Sequence, residues 1–193
     1  MALARQFVEK THYTEADYFE FERTSFGRWE YVSGEIRELK SGTATHGAIA
    51  TNLICSLGNT LTPQGIRVYL FNMMVHTGDG VNTFPDVAVV SGAREYYSDR
   101  DTVIQNPELL IEVLSPSSES YDRGGKFDHY KTIASLQDYL LVDQHQARLE
   151  LCSRRDETWK SQSVTGRESS IYLPSVSVDL ALSDVYATIE FGE

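Results

Sequence analysis

The stretch "ELLIEVLSP", residues 108–116, contains the apolar residues Leu109, Leu110, Ile111, Val113 and Leu114. A run of this length reads as a buried strand. Glu112 stands inside it. An unpaired charge in an apolar interior costs so much free energy that the group must be neutralised, paired or bound to a cation. Glu112 therefore has a partner or lines an open site, and the surrounding sequence is read for that partner.

Beyond this strand, "SPSSESYDRGG" (115–125) is polar and contains glycine, which predicts a loop at the strand's carboxyl end. From about Gly125, helical spacing runs through Phe127, Tyr130, Ile133 and Ala134, and "DYLLVD" (138–143) is a further buried strand. Upstream, "TFPDVAVVSG" (83–92) is a strand with Pro85 at its beginning, where the missing N–H is tolerated. Before it, "IRVYLFNMMVH" (66–76) is one β-rich run ended by the turn "TGDG". In "THGAIATNLICSLGNTL" (45–61), Ile49, Leu53, Ile54, Leu57 and Leu61 recur every three or four residues, an amphipathic helix with Thr45 as its cap. Thr14, three residues before Asp17, opens a short helix over 14–24, and Ser33-Gly34 marks a hairpin in "RWEYVSGEIRELK". The tail alternates apolar and polar residues as half-exposed antiparallel strands do, and Ser183 is the expected cap of a last helix through Tyr186 and Ile189. The fold class is α+β, a mixed sheet flanked by helices with an added antiparallel carboxyl-terminal region.

A chain of 193 residues with 41% hydrophobic content fits one domain over 1–193, its core at about 14–190. No apolar run reaches transmembrane length, and the start lacks the long apolar stretch of a signal peptide, so the expected location is cytoplasmic, with no membrane partner. Cys55 and Cys152 fall in apolar surroundings without metal-ligand spacing and read as buried free thiols. Seventeen basic against 28 acidic residues give a net charge of −11, which opposes general attraction to a polyanion. It leaves room for a site where divalent cations offset the acidic groups.

Asp86 lies near the start of one strand and Glu112 within another. Neighbouring strands are roughly 5 Å apart, so two adjacent strands would bring both carboxylates to one hard cation. Mg²⁺ or Mn²⁺ suits such a pair, because it takes oxygen ligands, keeps water and binds substrate phosphate. The plainer reading of an acidic residue at a strand end is a solvated or turn-forming group, and for Asp79 in "TGDG" a turn former is the default. His12, His76, His129 and His145 have no carboxylate or Cys at ligand spacing and read as surface or core histidines. Arg123, Lys126 and Lys131 are the bases expected near the site, interleaved with Asp122 and Asp128.

Taken together, "FPDVAVV", "PELLIEVLSPSSESYDRGGKFDHYK" and "DYLLVD" resemble the restriction-endonuclease-like superfamily with its PD-(D/E)xK core. They are most similar to the branch described as restriction endonucleases, formerly a domain of unknown function, with the pattern "PD…EVLSPS…D…K…Y". "WEYVSGEIREL…THGAIATNL" is similar to that branch's amino-terminal pattern, and the resemblance spans about residues 14–190. It implies a restriction-endonuclease-like core and metal-dependent hydrolysis of DNA phosphodiester bonds. The superfamily has Lys two residues after the Glu, where this chain has Leu114; the branch takes the amine from the following helix, here Lys126. Asp122 shares a face with Lys126 if that helix begins early enough. The implied metal ligands are Asp86, Glu112, the Val113 carbonyl and Glu30, with His46 near the phosphate or, more simply, capping its helix. Binding of DNA is expected to be weak without metal, and a homodimer is expected from the habit of the superfamily. The alternatives are a nuclease-fold binding or scaffold protein without efficient catalysis, and a phosphodiesterase acting on RNA or smaller substrates.

Overall fold

The computed structural model describes residues 11–40 and 42–191, and their strands form three sheets. Helix α1 (Glu15–Thr24) starts at a reciprocal cap: Thr14 Oγ1 accepts from the Asp17 N–H while the Asp17 carboxylate accepts from the Thr14 N–H. The hairpin of β1 (Trp29–Val32) and β2 (Glu35–Glu38) turns at Ser33 and Gly34, with φ of 51° and 88°. Left-handed backbone at both positions matches the twist of the paired strands.

The next helix, α2 (Ala44–Leu61), is capped by Thr43 rather than the expected Thr45. Thr43 Oγ1 accepts from the His46 N–H, and Thr45 lies inside the first turn. The sequence offers two threonines one helical half-turn apart, and only the one with extended backbone can point its oxygen at the free N–H groups. Ile49, Leu53, Leu57 and Leu61 on this helix are fully buried.

The expected single run over 66–76 is two strands, β3 (Arg67–Leu70) and β4 (Met74–His76). The Met73 N–H donates to the Leu70 carbonyl and closes a turn between them. The split lets Val68 pack with α2 while Met74 joins Tyr18 and Phe84 in a separate cluster. There follow β5 (Asn82–Thr83), β6 (Val87–Val90), β7 (Val103–Ile104) and β8 (Leu109–Leu114). The segment expected to be a loop over 115–125 contains a helix, α3 (Glu119–Arg123), separated at Gly124 from α4 (Gly125–Tyr130). Five residues are too few for a 3.6-residue hydrophobic period to register in the sequence.

The chain continues through β9 (Asp138–Asp143), β10 (Arg148–Arg155), β11 (Thr158–Thr165), β12 (Ser170–Leu173) and β13 (Val178–Ala181) to α5 (Leu182–Val185). Ser183 lies inside α5, not at its cap, and Tyr186 follows the helix. The Tyr186 hydroxyl bonds the Asp143 and Arg148 carbonyls, which fixes the chain's end to the central sheet. Cys152 is buried as expected, but Cys55 is exposed on the outer side of α2. Among the described residues no helix is long and apolar enough to cross a membrane.

The central sheet has the order β11-β10-β9-β8-β6-β3, with β8 and β9 parallel and the other pairs antiparallel. The second sheet runs β2-β1-β5-β4-β7. Alternation along β8 sends Leu109, Ile111 and Val113 to the face covered by α2, and Leu110 and Leu114 to the face covered by Tyr130, Ile133 and Leu136. Glu112 follows Leu110 and Leu114 by parity. It is thereby aimed at α3 and α4.

Because the α2 stripe carries one whole face of the sheet, Leu53→Ala is expected to cost about 2–5 kcal/mol. Urea unfolding checks this: the midpoint should fall while the slope stays unchanged.

Candidate active site

Val87 pairs with Ile111 and Ala88 with Leu110, so one further step of the same register sets Asp86 across from Glu112. Asp86 immediately precedes the first residue of β6, beyond the last paired position of the β6–β8 ladder. Its Oδ2 takes over, accepting the Val113 N–H at 2.8 Å. The same oxygen lies 3.0 Å from His46 Nε2, which reaches it from the first turn of α2. His46 is thus tied to Asp86 by its ring, and its expected role as a cap belongs to Thr43.

Glu112 Oε1 accepts from Lys126 Nζ and from the Tyr130 hydroxyl, both at 2.8 Å. The partner demanded by the opening strand is therefore an ammonium on α4. Lys126 Nζ also lies 3.6 Å from Glu30 Oε1 on β1 and 3.7 Å from Asp122 Oδ1 on α3. Glu30 accepts a short hydrogen bond from Thr83 Oγ1 on β5. The Lys126, Glu112, Glu30 and Asp122 side chains are each at most 5% exposed. α3 and α4 share a face across Gly124, which brings Asp122 and Lys126 together even though the helix is broken between them. Gly124 makes that bend, with φ −119° and ψ −101°, and a Cβ there would stand 3.2 Å from the Ser120 carbonyl oxygen.

Burial pushes the Glu112 carboxyl well above its ordinary range; the Lys126 charge opposes this, and Asp122 and Asp86 add to it. The Asp122 carboxyl is raised for the same leading reason. Burial disfavours the Lys126 ammonium, but Glu112, Glu30 and Asp122 outweigh it and hold the amine charged. For His46 burial again opposes charge, and the hydrogen bond and charge of Asp86 reverse the sign, so its pKa is raised. Four carboxylates here face one amine and one imidazole. A surplus of negative oxygen is what a hard cation binds.

Among the described residues, however, no three Asp, Glu, His or Cys side chains are gathered closely enough to hold an ion by themselves. Glu30, expected as a third ligand, is turned to Thr83 and Lys126. What remains on the Asp86 side is a pair of carboxylates, Asp86 and Glu112, with Val113 on the same wall of a cavity of about 260 Å³. Mg²⁺ commonly binds through one or two carboxylates and completes its shell with water and phosphate, so this donor set fits it.

The sequence pattern of the Uma2 family, described as "Putative restriction endonuclease", matches residues 15–183. The chain belongs to this family. Two uncharacterized proteins of Synechocystis sp. are relatives: sll1609 is 29% identical over 160 residues, covering 82% of this chain and 90% of its own. The second, slr1290, is 30% identical over 177 residues, 91% of this chain and 92% of its own. The fold matches a crystal structure described as a putative nuclease belonging to DUF820 from Anabaena variabilis, with a TM-score of 0.69 at 19% identity over 84% of this chain and 92% of that one. The restriction-endonuclease-like core inferred from the sequence is thereby established, and the Uma2 match spans Glu30, His46, Asp86, Glu112, Asp122 and Lys126.

Several residues at this Uma2 site escaped sequence reasoning. Arg28, Arg37 and Lys40 line the cavity with Glu38. The hairpin register sets Arg37 directly across from Glu30, so the Ser33-Gly34 turn already contained that signal. Arg123 and Lys131 do not line the cavity: Arg123 pairs with Glu119 and Glu150, and Lys131 with Asp128. Two of the histidines do have carboxylate partners, His129 with Asp79 at 2.7 Å and His76 with Glu15 at 3.4 Å, both outside the cavity. Tyr121 lines it, with a buried hydroxyl that has no hydrogen-bond partner and a pKa pushed up to about 12 by burial and by Glu30.

Lys126→Met would leave Glu30, Glu112 and Asp122 buried without their ammonium. The expected loss is about 3–5 kcal/mol, read as a lower urea midpoint. A variant as stable as the parent would show that the carboxylates do not depend on the amine.

Proposed function

We propose that this Uma2 chain is a Mg²⁺- or Mn²⁺-dependent endonuclease that hydrolyses DNA phosphodiester bonds. The observation that carries the reading is the position of Asp86 across from Glu112, with the Lys126 amine 2.8 Å from Glu112. Asp86, Glu112 and the carbonyl of Val113 are the residues that would hold the ion. When bound, such an ion lowers the pKa of a water and polarises the scissile phosphate.

The remaining roles follow from the protein's own groups. Lys126, kept charged by its three carboxylates, has no lone pair with which to take a proton. It donates hydrogen bonds, which orient the attacking water and offset charge growing on the phosphoryl oxygens. Glu30 and Asp122 act through Lys126 as positioning residues. His46 holds Asp86 in place from α2, as the outer partner of a ligand does. Leu114 fills the core at the position where the superfamily has its lysine, and the amine arrives from α4 instead.

The net charge of −11 favours a second reading, a nuclease fold that binds a partner without cutting. Cleavage assays with plasmid, single-stranded DNA and RNA separate the two and also test substrates other than DNA.

Asp86→Asn and Glu112→Gln, which keep side-chain shape, should each lower Mn²⁺-dependent DNA cleavage by about a hundredfold or more. Undiminished cleavage by Glu112→Gln removes the proposal. His46→Ala should weaken Mn²⁺ binding by about 10–100-fold in a calorimetric titration, with the far-UV spectrum unchanged.

A further inference from the structure

The acidic centre and Lys126 are buried, whereas Arg37 and Lys40, which line the same cavity, are exposed and Arg28 is half-buried. Arg28, Arg37 and Lys40 come from the β1–β2 hairpin and its flanks, and Glu38 is the acidic residue among them. Arg37 already has a partner in Glu35, in an exposed pair that contributes little and exchanges readily. Arg28 is half-buried. Its guanidinium lies 4.7 Å from the centre of the Phe71 ring, and its Nη1 is 3.4 Å from the Phe71 carbonyl. Phe71 sits at the β3–β4 turn and is 43% exposed.

We infer that the nucleic acid entering this site is a single DNA strand, its phosphates tracked by Arg28, Arg37 and Lys40 and one of its bases stacked on Phe71. The inference rests on the nuclease reading and deepens it. Three independent constraints agree. A volume of about 260 Å³ is below the range of pockets that enclose a drug-sized ligand, so it admits one phosphodiester with its sugar at a time. The carboxylates and the amine are each at most 5% exposed around Lys126, so a phosphate must come down to them. A chain of net charge −11 repels the closely spaced phosphates of a duplex more than those of one strand. A basic track beside an aromatic ring is the arrangement by which proteins hold single strands, since every base has a face that stacks.

The test is fluorescence anisotropy with a short labelled DNA strand and with the duplex of the same sequence, in the presence of Mg²⁺ and with the Glu112→Gln protein to prevent turnover. The single strand should bind about tenfold more tightly than the duplex. Phe71→Ala in that background should weaken the single strand by about tenfold and leave the duplex unchanged, and Phe71→Tyr should restore binding. Because Phe71 is largely at the surface, the Ala variant is expected to keep the parent's melting temperature. Equal affinity for both forms, or full binding by Phe71→Ala, overturns the inference. Wild-type protein that binds the strand in this way but cleaves no substrate in Mn²⁺ supports the strand inference and removes the nuclease reading. Wild-type protein that cuts duplex and single strand alike, with Phe71→Ala unaffected, does the reverse.

Discussion

Glu112 is a carboxylate in a strand whose six residues are all buried, and the cost of leaving it unneutralised organises the whole functional end of the molecule. The neutralising group is the Lys126 ammonium, delivered by α4 to the one face of the sheet on which Glu112 can point. That amine in turn requires acceptors of its own, and Glu30 and Asp122 provide them from the second sheet and from α3. Elements distant in sequence thereby meet at one nitrogen. Tyr130 adds a hydroxyl to the same Glu112 oxygen from the last turn of α4, so the helix is held at both its charged and its neutral group.

An ion cluster of this kind is a poor way to gain stability, since apolar residues of similar volume would serve the fold as well or better. Its presence in the interior is better explained by chemistry that needs negative oxygen and a fixed ammonium side by side. The distribution of charge follows the same logic. The chain is acidic overall, the acidic centre around Lys126 is buried, and the exposed bases that line the cavity, Arg37 and Lys40, belong to the hairpin and its flank. Asp86 joins β8 to α2: its single oxygen Oδ2 satisfies the Val113 N–H at the end of the β-ladder and an imidazole from α2.

Much of this was legible in the sequence where one local rule decided the outcome. The Thr14–Asp17 cap, the Ser33-Gly34 turn and the α2 stripe each rest on residues a few positions apart, and all three are present. The strand carrying Glu112 was legible because its apolar run left a single anomalous residue. Illegible features depended on packing between distant parts. The break over 71–73 arises because the two halves of one β-rich run pair in different sheets, β3 in the central sheet and β4 in the second. The choice of Thr43 over Thr45 turns on backbone angles that both residues are equally able to adopt. Arg123 and Lys131 looked close to the site because they neighbour Lys126 in sequence, yet helical geometry sends them to other partners. Arg37, remote in sequence from every expected carboxylate except Glu30, reaches the cavity through the hairpin's register, and Arg28 reaches it from the residue before β1.

The central claim is that Asp86 and Glu112 serve one divalent ion beside the Lys126 amine. Diffraction from crystals soaked in Mn²⁺ tests it directly through the anomalous signal of the metal. The account predicts one peak within about 2.1 Å of a carboxylate oxygen from each of the two residues, with Lys126 Nζ still facing Glu112. A peak bound to one of them alone, a peak elsewhere, or no peak at saturating Mn²⁺ would contradict it.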